Sequence, residues 1–339
     1  MNIAFLYNVR HSYPDPKDPR TLRQVDFDDP KTTRLQIKHL RGLGFSVFPI
    51  EADEKAYLKL YRLRGKIDLA FNVSEGMHGN DREAQIPAML EMLGIPYTGS
   101  TPLTQALILD KAKTKELLLK NGVSTLPFRV FGPENIDKEV GLDYPLIVKP
   151  VSEGSSAGIS NNSVVNNWKE LVRQVMFIWK TFKGRSLAEA YLEGREFSVA
   201  MLGNPPKVLP ILESDHSMLP KKYLPFDSLE VKWFFETETS GEHLKCPADI
   251  SAKLKKKIED ICYGLWRVLG IRDWCRIDIR CDSRENPYVL EVNSPPGIIP
   301  PEHDTASYFP MISRAYGLDY DKMLLAIIKT AAKRYGIKM

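Results

Sequence analysis

The chain has 339 residues, enough for roughly two to three domains at ~150 residues each and for a core that needs no disulfide or structural metal. Hydrophobic residues make up 43% and charged residues 27%, which excludes a disordered or collagen-like chain. Lys and Arg number 47 against 43 Asp and Glu, so the formal net charge is +4; with the basic residues scattered, no nucleic-acid partner is expected, although a local basic cluster for a small anion fits.

The N-terminal third alternates short apolar runs with helical patterns. Ile3–Tyr7, Phe45–Ile50 and Ile67–Val73 read as buried strands, and Thr33–Leu43, Ala56–Leu63 and Arg82–Leu93 as helices. Strands alternating with helices predict a doubly wound parallel sheet, an α/β class. Such sheets bind ligands beyond the carboxyl ends of their strands, here after Tyr7, Ile50 and Phe71. A second unit begins near residue 105, with a helix at Asp110–Lys120 and strands at Phe128–Phe131 and Leu146–Val148. A helix from Asn166 to Trp179 follows, then strands at Leu187–Leu192 and Glu196–Leu202. Residues 214–245 mix Pro, charge and aromatics without a period and predict a long loop of the kind that forms active-site lids. The last unit reads as a helix near Ile250–Leu269, two strands, a Pro-rich segment and a final helix near Lys322–Tyr335. The uncharged stretch Met92–Leu109 contains Gly94, Pro96, Gly99 and Pro102, so no membrane span is expected. Cys246, Cys262, Cys275 and Cys281 fit neither a zinc site nor a disulfide framework, and no basic leader precedes the first strand. A reducing, cytoplasmic setting is therefore expected.

The strand Trp274–Cys281 and the strand Tyr288–Asn293 flank a turn-rich linker and should pair as a hairpin. If Cys281 sits opposite Tyr288, Asp278 sits opposite Glu291, with Asn293 on the same face. Two such carboxylates repel and need a cation, and hard oxygens of this kind suit Mg2+ shared with phosphates. The competing reading is a solvated face on an edge hairpin. Lys149 closes the apolar strand Leu146–Pro150, where a buried ammonium needs an anionic partner. The loop Val151–Ile159 after it contains Glu153, Gly154, Ser155 and Ser156, small residues whose backbone N–H groups can surround an anion. Taken alone, such a loop is usually a turn, and Lys111 alone is an ordinary helix lysine. Glu189, Glu193 and Glu196 are candidates for ribose or adenine contacts; ordinary surface carboxylates around Gly194 are favoured by spacing alone.

In this order the pieces resemble the ATP-grasp superfamily and, within it, the D-alanine–D-alanine ligase family. The matching stretches are Glu91–Ser100, Leu109–Lys111, Ile147–Pro150, Glu153–Gly158, Glu189–Phe197, Lys245–Ala248, Arg276–Asp278, Glu291–Gly297 and Ser307–Pro310. The resemblance runs from Ile67 to the C-terminus. It implies three α/β units, 1–104, 105–205 and 206–339, with ATP between the last two. It implies that Lys111 and Lys149 contact the phosphates and that the loop Glu153–Ser156 closes over them. Glu189 would meet the adenine amino group, Ala190, Tyr191 and Leu192 would line the adenine slot, and Glu196 would hold the ribose. Asp278, Glu291 and Asn293 would bind two Mg2+, with Mn2+ as a substitute. Arg276 and the backbone at Gly297 would stabilise the transferring phosphoryl group. Ser307 would hold the carboxylate of the second amino acid, and Lys232 with Trp233 would serve as the lid pair, a role for which Lys222-Tyr223 competes. The implied activity is an ADP-forming ligation of two amino acids through an acyl phosphate, with D-alanine as the default, in the setting of peptidoglycan biosynthesis; homodimers are common in the family. A dipeptide or natural-product ligase with other amino acids, or a nucleotide-binding regulator without catalysis, is the alternative.

The chain departs from the family at its substrate end. The family's first strand leads into a Gly-Gly-x-Ser-x-Glu turn, whose glutamate anchors an ammonium. Here Tyr7 is followed by Asn-Val-Arg-His-Ser-Tyr, and Asp26, Asp28 or Asp29 are the substitutes at hand. Where the family has His-Gly after the third strand, Ser74–Glu83 makes Glu75, His78 and Arg82 candidates for substrate recognition, against a plain polar loop. An insertion between Gly297 and Ser307 adds Glu302, His303 and Asp304.

Overall fold

The computed structural model describes residues 1–15, 18–136, 141–303 and 305–339, so Asp304 lies outside the described residues. Three sheets organise the chain. The first contains β1 (Asn2–Tyr7), β2 (Ser46–Glu51) and β3 (Leu69–Asn72) in the order β2-β1-β3, all parallel as expected. Parallel neighbours require crossovers, supplied here by α1 (Pro30–Gly42) and α2 (Ala56–Leu63). α1 starts earlier than periodicity suggests, because Asp29 caps it, accepting from the Lys31 N–H at 2.6 Å, and Pro30 opens its first turn. The helix expected from Arg82 is a 3-10 turn at Arg82–Ala84 followed by α3 (Gln85–Met92). Apolar periodicity does not mark α4 (Pro102–Leu109), which Thr101 caps; α5 (Lys111–Lys120), capped by Asp110, follows it directly.

The second sheet is antiparallel, with β4 (Phe128–Phe131), β5 (Leu146–Pro150), β6 (Val164–Val165) and β7 (Ser186–Ala190) in the order β4-β7-β5-β6. The amphipathic helix α6 (Trp168–Phe182) covers one face, burying Leu171, Val175 and Ile178 against Val148 and Ala188. The third sheet has six strands: β8 (Glu196–Leu202), β9 (Lys207–Val208), β10 (Leu212–Ser214), β11 (Leu244–Lys245), β12 (Trp274–Cys281) and β13 (Pro287–Asn293). β8 pairs with β12 along its length. A unit boundary at 205 therefore falls late, since the third sheet already begins at Glu196. Residues 214–245 are not the aperiodic loop expected. A π-helix at Val231–Phe235 runs into α7 (Glu236–Thr239), and β10 and β11 bracket them.

On one face of the third sheet, α8 (Ala252–Leu269) packs with α4 and α5 over Cys275, Ile277, Ile279 and Cys281, the face opposite Asp278 as strand alternation requires. Cys262, Cys275 and Cys281 are buried free thiols. On the other face, Trp274 and Ala200 join Phe5 and Phe71 of the first sheet, with α9 (Tyr308–Ala315) and α10 (Tyr320–Arg334) completing the layer. Among the described residues no helix is long and apolar enough to cross a membrane.

One buried carboxylate staples these layers. Asp273 accepts hydrogen bonds from the Gly99 N–H at 2.8 Å, Asn204 Nδ2 at 2.6 Å, and Arg334 Nε and Nη2 at 3.0 and 2.6 Å. It holds a left-handed φ of 65°, a strain those bonds offset. Asp273→Ala leaves the Arg334 guanidinium without its carboxylate, with only the Tyr97 and Gly99 carbonyls to accept from it, and is expected to cost about 3 kcal/mol. Urea unfolding measures this, and a loss below about 1 kcal/mol contradicts the staple.

Candidate functional site

β12 and β13 pair with Asp278 facing Glu291 and Arg276 facing Asn293, but Cys281 faces Pro287 rather than Tyr288. A bulge between Asp278 and Ile279 on the register absorbs the difference. Without it Asp278 would face Leu290, and Glu291 would turn to the other side of the sheet. The hairpin is not a free edge on its Asp278 side, because β12 lies between β13 and β8. Asp278 accepts from Ser198 Oγ at 2.6 Å, from Arg276 Nε and Nη2 at 2.9 Å each, and from Asn293 Nδ2 at 3.2 Å. Lys111 Nζ lies 3.4 Å from Glu291. Burial alone would raise the Glu291 carboxyl, but Lys111, Lys232, Lys149 and Arg276 outweigh it and hold it at about 2. Two carboxylates and an amide on one face form a hard-oxygen donor set, which fits Mg2+.

Beside this patch lies a buried ion triad. Glu189 on β7 is fully buried, with Lys149 of β5 at 2.6 Å and Lys115 of α5 at 2.7 Å. Burial opposes its charge, yet the two lysines keep its carboxyl below the usual value. The Lys115 ammonium is lowered to about 8 by burial, which Glu189 only partly offsets. Glu189 is thus a lysine-holding group in this structure, not an open hydrogen-bond acceptor. Lys115 is one turn beyond Lys111, and that i, i+4 spacing was the available sequence signal for it. Glu196 is likewise paired, accepting from Arg280 Nη1 at 2.6 Å, its cross-strand neighbour. A cavity of about 70 Å³ runs from Lys149 past Ala190, Tyr191 and Leu192 to Glu196. Phe226 meets Tyr191 edge-on there at 5.9 Å. That volume is far below the ~300 Å³ of small-ligand pockets, so with Phe226 in this position the cavity is closed.

The loop after β5 is held from three sides. Ser155 and Ser156 adopt left-handed φ values of 46° and 57°, consecutive turns that expose backbone N–H groups. Lys111 Nζ donates to the Glu153 carbonyl. Arg82 donates to the Ser152 carbonyl at 2.8 Å and reaches Asp26 and Glu153 at 3.1 and 3.2 Å. Arg82 is therefore committed to the loop. Gly154 packs so tightly that a Cβ there would come within 2.8 Å of the Asp26 carboxylate. Ser156 Oγ donates to the Asp227 carbonyl at 2.8 Å, tying the loop to the lid. Asp227 accepts from His216 Nε2 at 2.7 Å and lies 3.0 Å from the Tyr308 hydroxyl, which is 2.5 Å from Glu236. Burial, helped by Asp227, raises the Glu236 carboxyl to about 8. The Tyr308 hydroxyl sits between the Glu236 and Asp227 carboxyls as the hydrogen-bond donor to both. Lys232 sits over the Tyr308 ring at 5.4 Å, as does Arg276 at the same distance. Lys222 is exposed beside Tyr223, whereas Lys232 and Trp233 line a cavity.

A second cavity of about 390 Å³ shares Lys232 and Glu291 with the first. Segments after β1 and β3 line it with Asn8, Arg10, Val73 and Glu75, whereas Ala52 after β2 is sealed off by Asn8 Nδ2. Gly297 and Ser307 lie at its far end, where Ser307 Oγ donates to the Gly297 carbonyl at 3.2 Å. Asp26, Asp28 and Asp29 all reach it, together with Glu75 and a residue that sequence reasoning missed, Glu83. His78 does not: it is exposed, and its carbonyl accepts from Gln85. In the insertion, Glu302 pairs with His39 of α1 at 3.0 Å, and His303 lines the cavity. Burial raises Glu75 well above the usual carboxylate range, with Glu83 adding to it. Burial lifts Glu83 to about 8 and Asp28 to about 6.

Residues 117–329 match the family model described as D-ala D-ala ligase C-terminus. A protein of Sinorhizobium fredii (strain NBRC 101917 / NGR234), described as Uncharacterized protein y4sG, is 33% identical over 98% of this chain and 96% of its own. The D-alanine–D-alanine ligase of Nitrosococcus oceani is 31% identical over 90% of this chain and 89% of its own. The crystal structure of the D-alanine–D-alanine ligase from Bacillus anthracis complexed with ATP shares the fold, with a TM-score of 0.71 at 23% identity over 99% of both chains.

Glu83 gives the site a pH signature. Its carboxyl titrates near 8 when folded and near the usual 4.5 when unfolded, so its contribution is most favourable below about 4.5 and is lost as pH rises through about 8. Glu83→Gln keeps the uncharged form, so the Tm of the variant minus that of the ligand-free wild type should rise by roughly 3 °C or more from pH 5 to pH 8.5. A difference that stays constant across that range contradicts the assignment.

Proposed function

The chain belongs to the D-alanine–D-alanine ligase family and is an ADP-forming carbon–nitrogen ligase, and on that premise we propose that it joins two amino acids through an acyl phosphate. The supporting observation is the Asp278–Glu291 pair ringed by Lys111, Lys149, Arg276 and Lys232 where the two cavities meet. The family implies ATP and Mg2+. Asp278, Glu291 and Asn293 would hold two Mg2+, which supply charge neutralisation to the phosphates when bound. Lys111 and Lys149 take phosphate oxygens, Glu189 and Lys115 position Lys149, and the loop Glu153–Ser156 closes over the phosphates. The backbone of Ala190–Leu192 lines the adenine, and Glu196, steadied by Arg280, takes the ribose.

A carboxylate is a poor acyl donor. Phosphorylation by ATP gives it a leaving group, the amine of the second substrate attacks the carbonyl carbon, and phosphate departs as the amide forms. Phosphoryl transfer of this kind asks the protein mainly for positioning and positive charge. Arg276 and the backbone at Gly297 supply the charge, and Ser307 holds the acceptor's carboxylate. The lid carrying Phe226, Asp227 and Lys232 excludes water, which would hydrolyse the acyl phosphate.

D-alanine is the substrate named for the curated relatives and the default here. A second reading is favoured by one observation: Arg10, Asp28, Glu75 and Glu83 line the substrate cavity in place of the family's single glutamate turn, so at least one amino acid differs from D-alanine. Glu291→Ala and Lys149→Ala should each lower amino-acid-dependent ADP release at least about 100-fold in a coupled assay over D- and L-amino acids. Turnover kept within about 10-fold of wild type by either variant sinks this reading of the patch.

A further inference from the structure

Arg10 is the one strongly basic group in the larger cavity that the ligation chemistry above leaves without a task. It lies three residues after β1, and its backbone N–H donates to the Asp28 carbonyl at 2.9 Å, which fixes where the side chain starts. The residue is only 8% exposed. Its Nε and Nη1 are buried and have no hydrogen-bond partner among the described residues. A buried guanidinium with idle N–H groups is costly, since each donor has given up water.

The nearest carboxylates do not fill that gap. Asp29 is occupied by the Lys31 N–H at 2.6 Å and by the Tyr13 hydroxyl. Asp28 accepts from Gln36 Nε2 at 3.3 Å and forms no ion pair with Arg10. What touches Arg10 is aromatic: the guanidinium carbon lies 4.5 Å from the Trp233 ring centre and 5.5 Å from that of Tyr13. Stacking covers the guanidinium faces and leaves the N–H groups at its rim; the idle Nε and Nη1 lie on different edges, so each can donate one charge-assisted hydrogen bond to a carboxylate oxygen. Trp233 comes from the 231–235 π-turn, so that segment helps hold the guanidinium plane.

The rest of the cavity wall complements this. Asn8, two residues before Arg10, accepts from the N–H groups of Glu75 and Gly76 at 2.9 and 3.1 Å, which brings the Glu75 segment beside the Arg10 strand. Glu75, Glu83 and Asp28 line the same space. A ligand that suits this wall carries an ammonium toward the acids and a carboxylate toward Arg10. Gly297, Ser307 and Arg276 already serve the reacting end, so the carboxylate at Arg10 is an additional one.

We infer that Arg10 is a substrate-specificity residue that binds a side-chain carboxylate, making at least one substrate an acidic amino acid. The inference rests on the ligase reading. It is tested by measuring ADP release from wild type, Arg10→Met and Arg10→Lys at saturating ATP and Mg2+. The probes are the D- and L-isomers of glutamate, aspartate, glutamine and alanine, singly and in pairs. Wild type should prefer an acid over its amide by at least about 10-fold in kcat/KM, the worth of one charge-assisted hydrogen bond. Arg10→Met should erase that preference through KM, and Arg10→Lys should restore part of it. No preference for the acid in wild type, or a loss in Arg10→Met that is equal for acid and amide, overturns the assignment; the latter would make Arg10 only a rest for Trp233. If no pair releases ADP, the ligase reading itself fails, and Arg10 is judged by binding. With Mg2+ and a non-hydrolysable ATP analogue, glutamate should raise the Tm of wild type but not of Arg10→Met. Equal shifts, or none, overturn it.

Discussion

Two carboxylates are forced onto one face of a hairpin, and the surrounding charges are arranged to tolerate them. The bulge in the β12–β13 register sets Asp278 opposite Glu291. Like charges at that spacing repel, so the fold must bring compensation. It comes from four elements that converge here: Arg276 from the same strand, Lys111 from α5, Lys149 from β5 and Lys232 from the lid. Glu291 stays ionised at about 2 because of them, despite burial. The cations that quiet the carboxylates are also those a triphosphate would meet. Charges fixed by the fold before substrate arrives need no rearrangement during the reaction, which is where electrostatic catalysis gains most.

The same economy governs closure. A small apolar cluster of Leu22, Val25, Ala157 and Leu229 joins the N-terminal segment, the Ser/Gly loop and the lid, with Trp233 packed against it. Arg82 and Asp26 clamp that loop from the first sheet's side, and Asp227 holds it from the lid's side. The arrangement is a shut one, with about 70 Å³ beside the Ala190–Leu192 backbone. Shutting requires all three segments together.

Much of this was legible in the chain. Apolar runs with helical spacers marked the parallel first sheet, and strand alternation placed Cys275 and Cys281 away from Asp278. The motif order singled out Lys111, Lys149, Asp278 and Glu291, which the fold does bring together. Residues whose role comes from distant partners were not legible. Lys115 looks like any helix lysine until β7 brings Glu189 to 2.7 Å. Arg82 looked available until the loop at Ser152 and Glu153 claimed it, and His78 points to solvent because the turn at Gly79 carries it outward. The lid hid its helix because a π-turn has no 3.6-residue period for a pattern to catch. α4 was masked by uniform apolarity, buried as it is between α5, α8 and β13. The bulge was invisible too, since a register slip leaves no mark in composition.

What the Asp278–Glu291 patch is for can be read from the fate of one oxygen atom. An amino acid that supports ADP release is supplied with both carboxylate oxygens as 18O, and the released inorganic phosphate is examined by mass spectrometry. If the carboxylate attacks the γ-phosphorus and the amine then displaces phosphate, each phosphate carries one 18O and the amide keeps the other. Phosphate without label, with both labelled oxygens still on the amino acid, would mean that no acyl phosphate forms at this site.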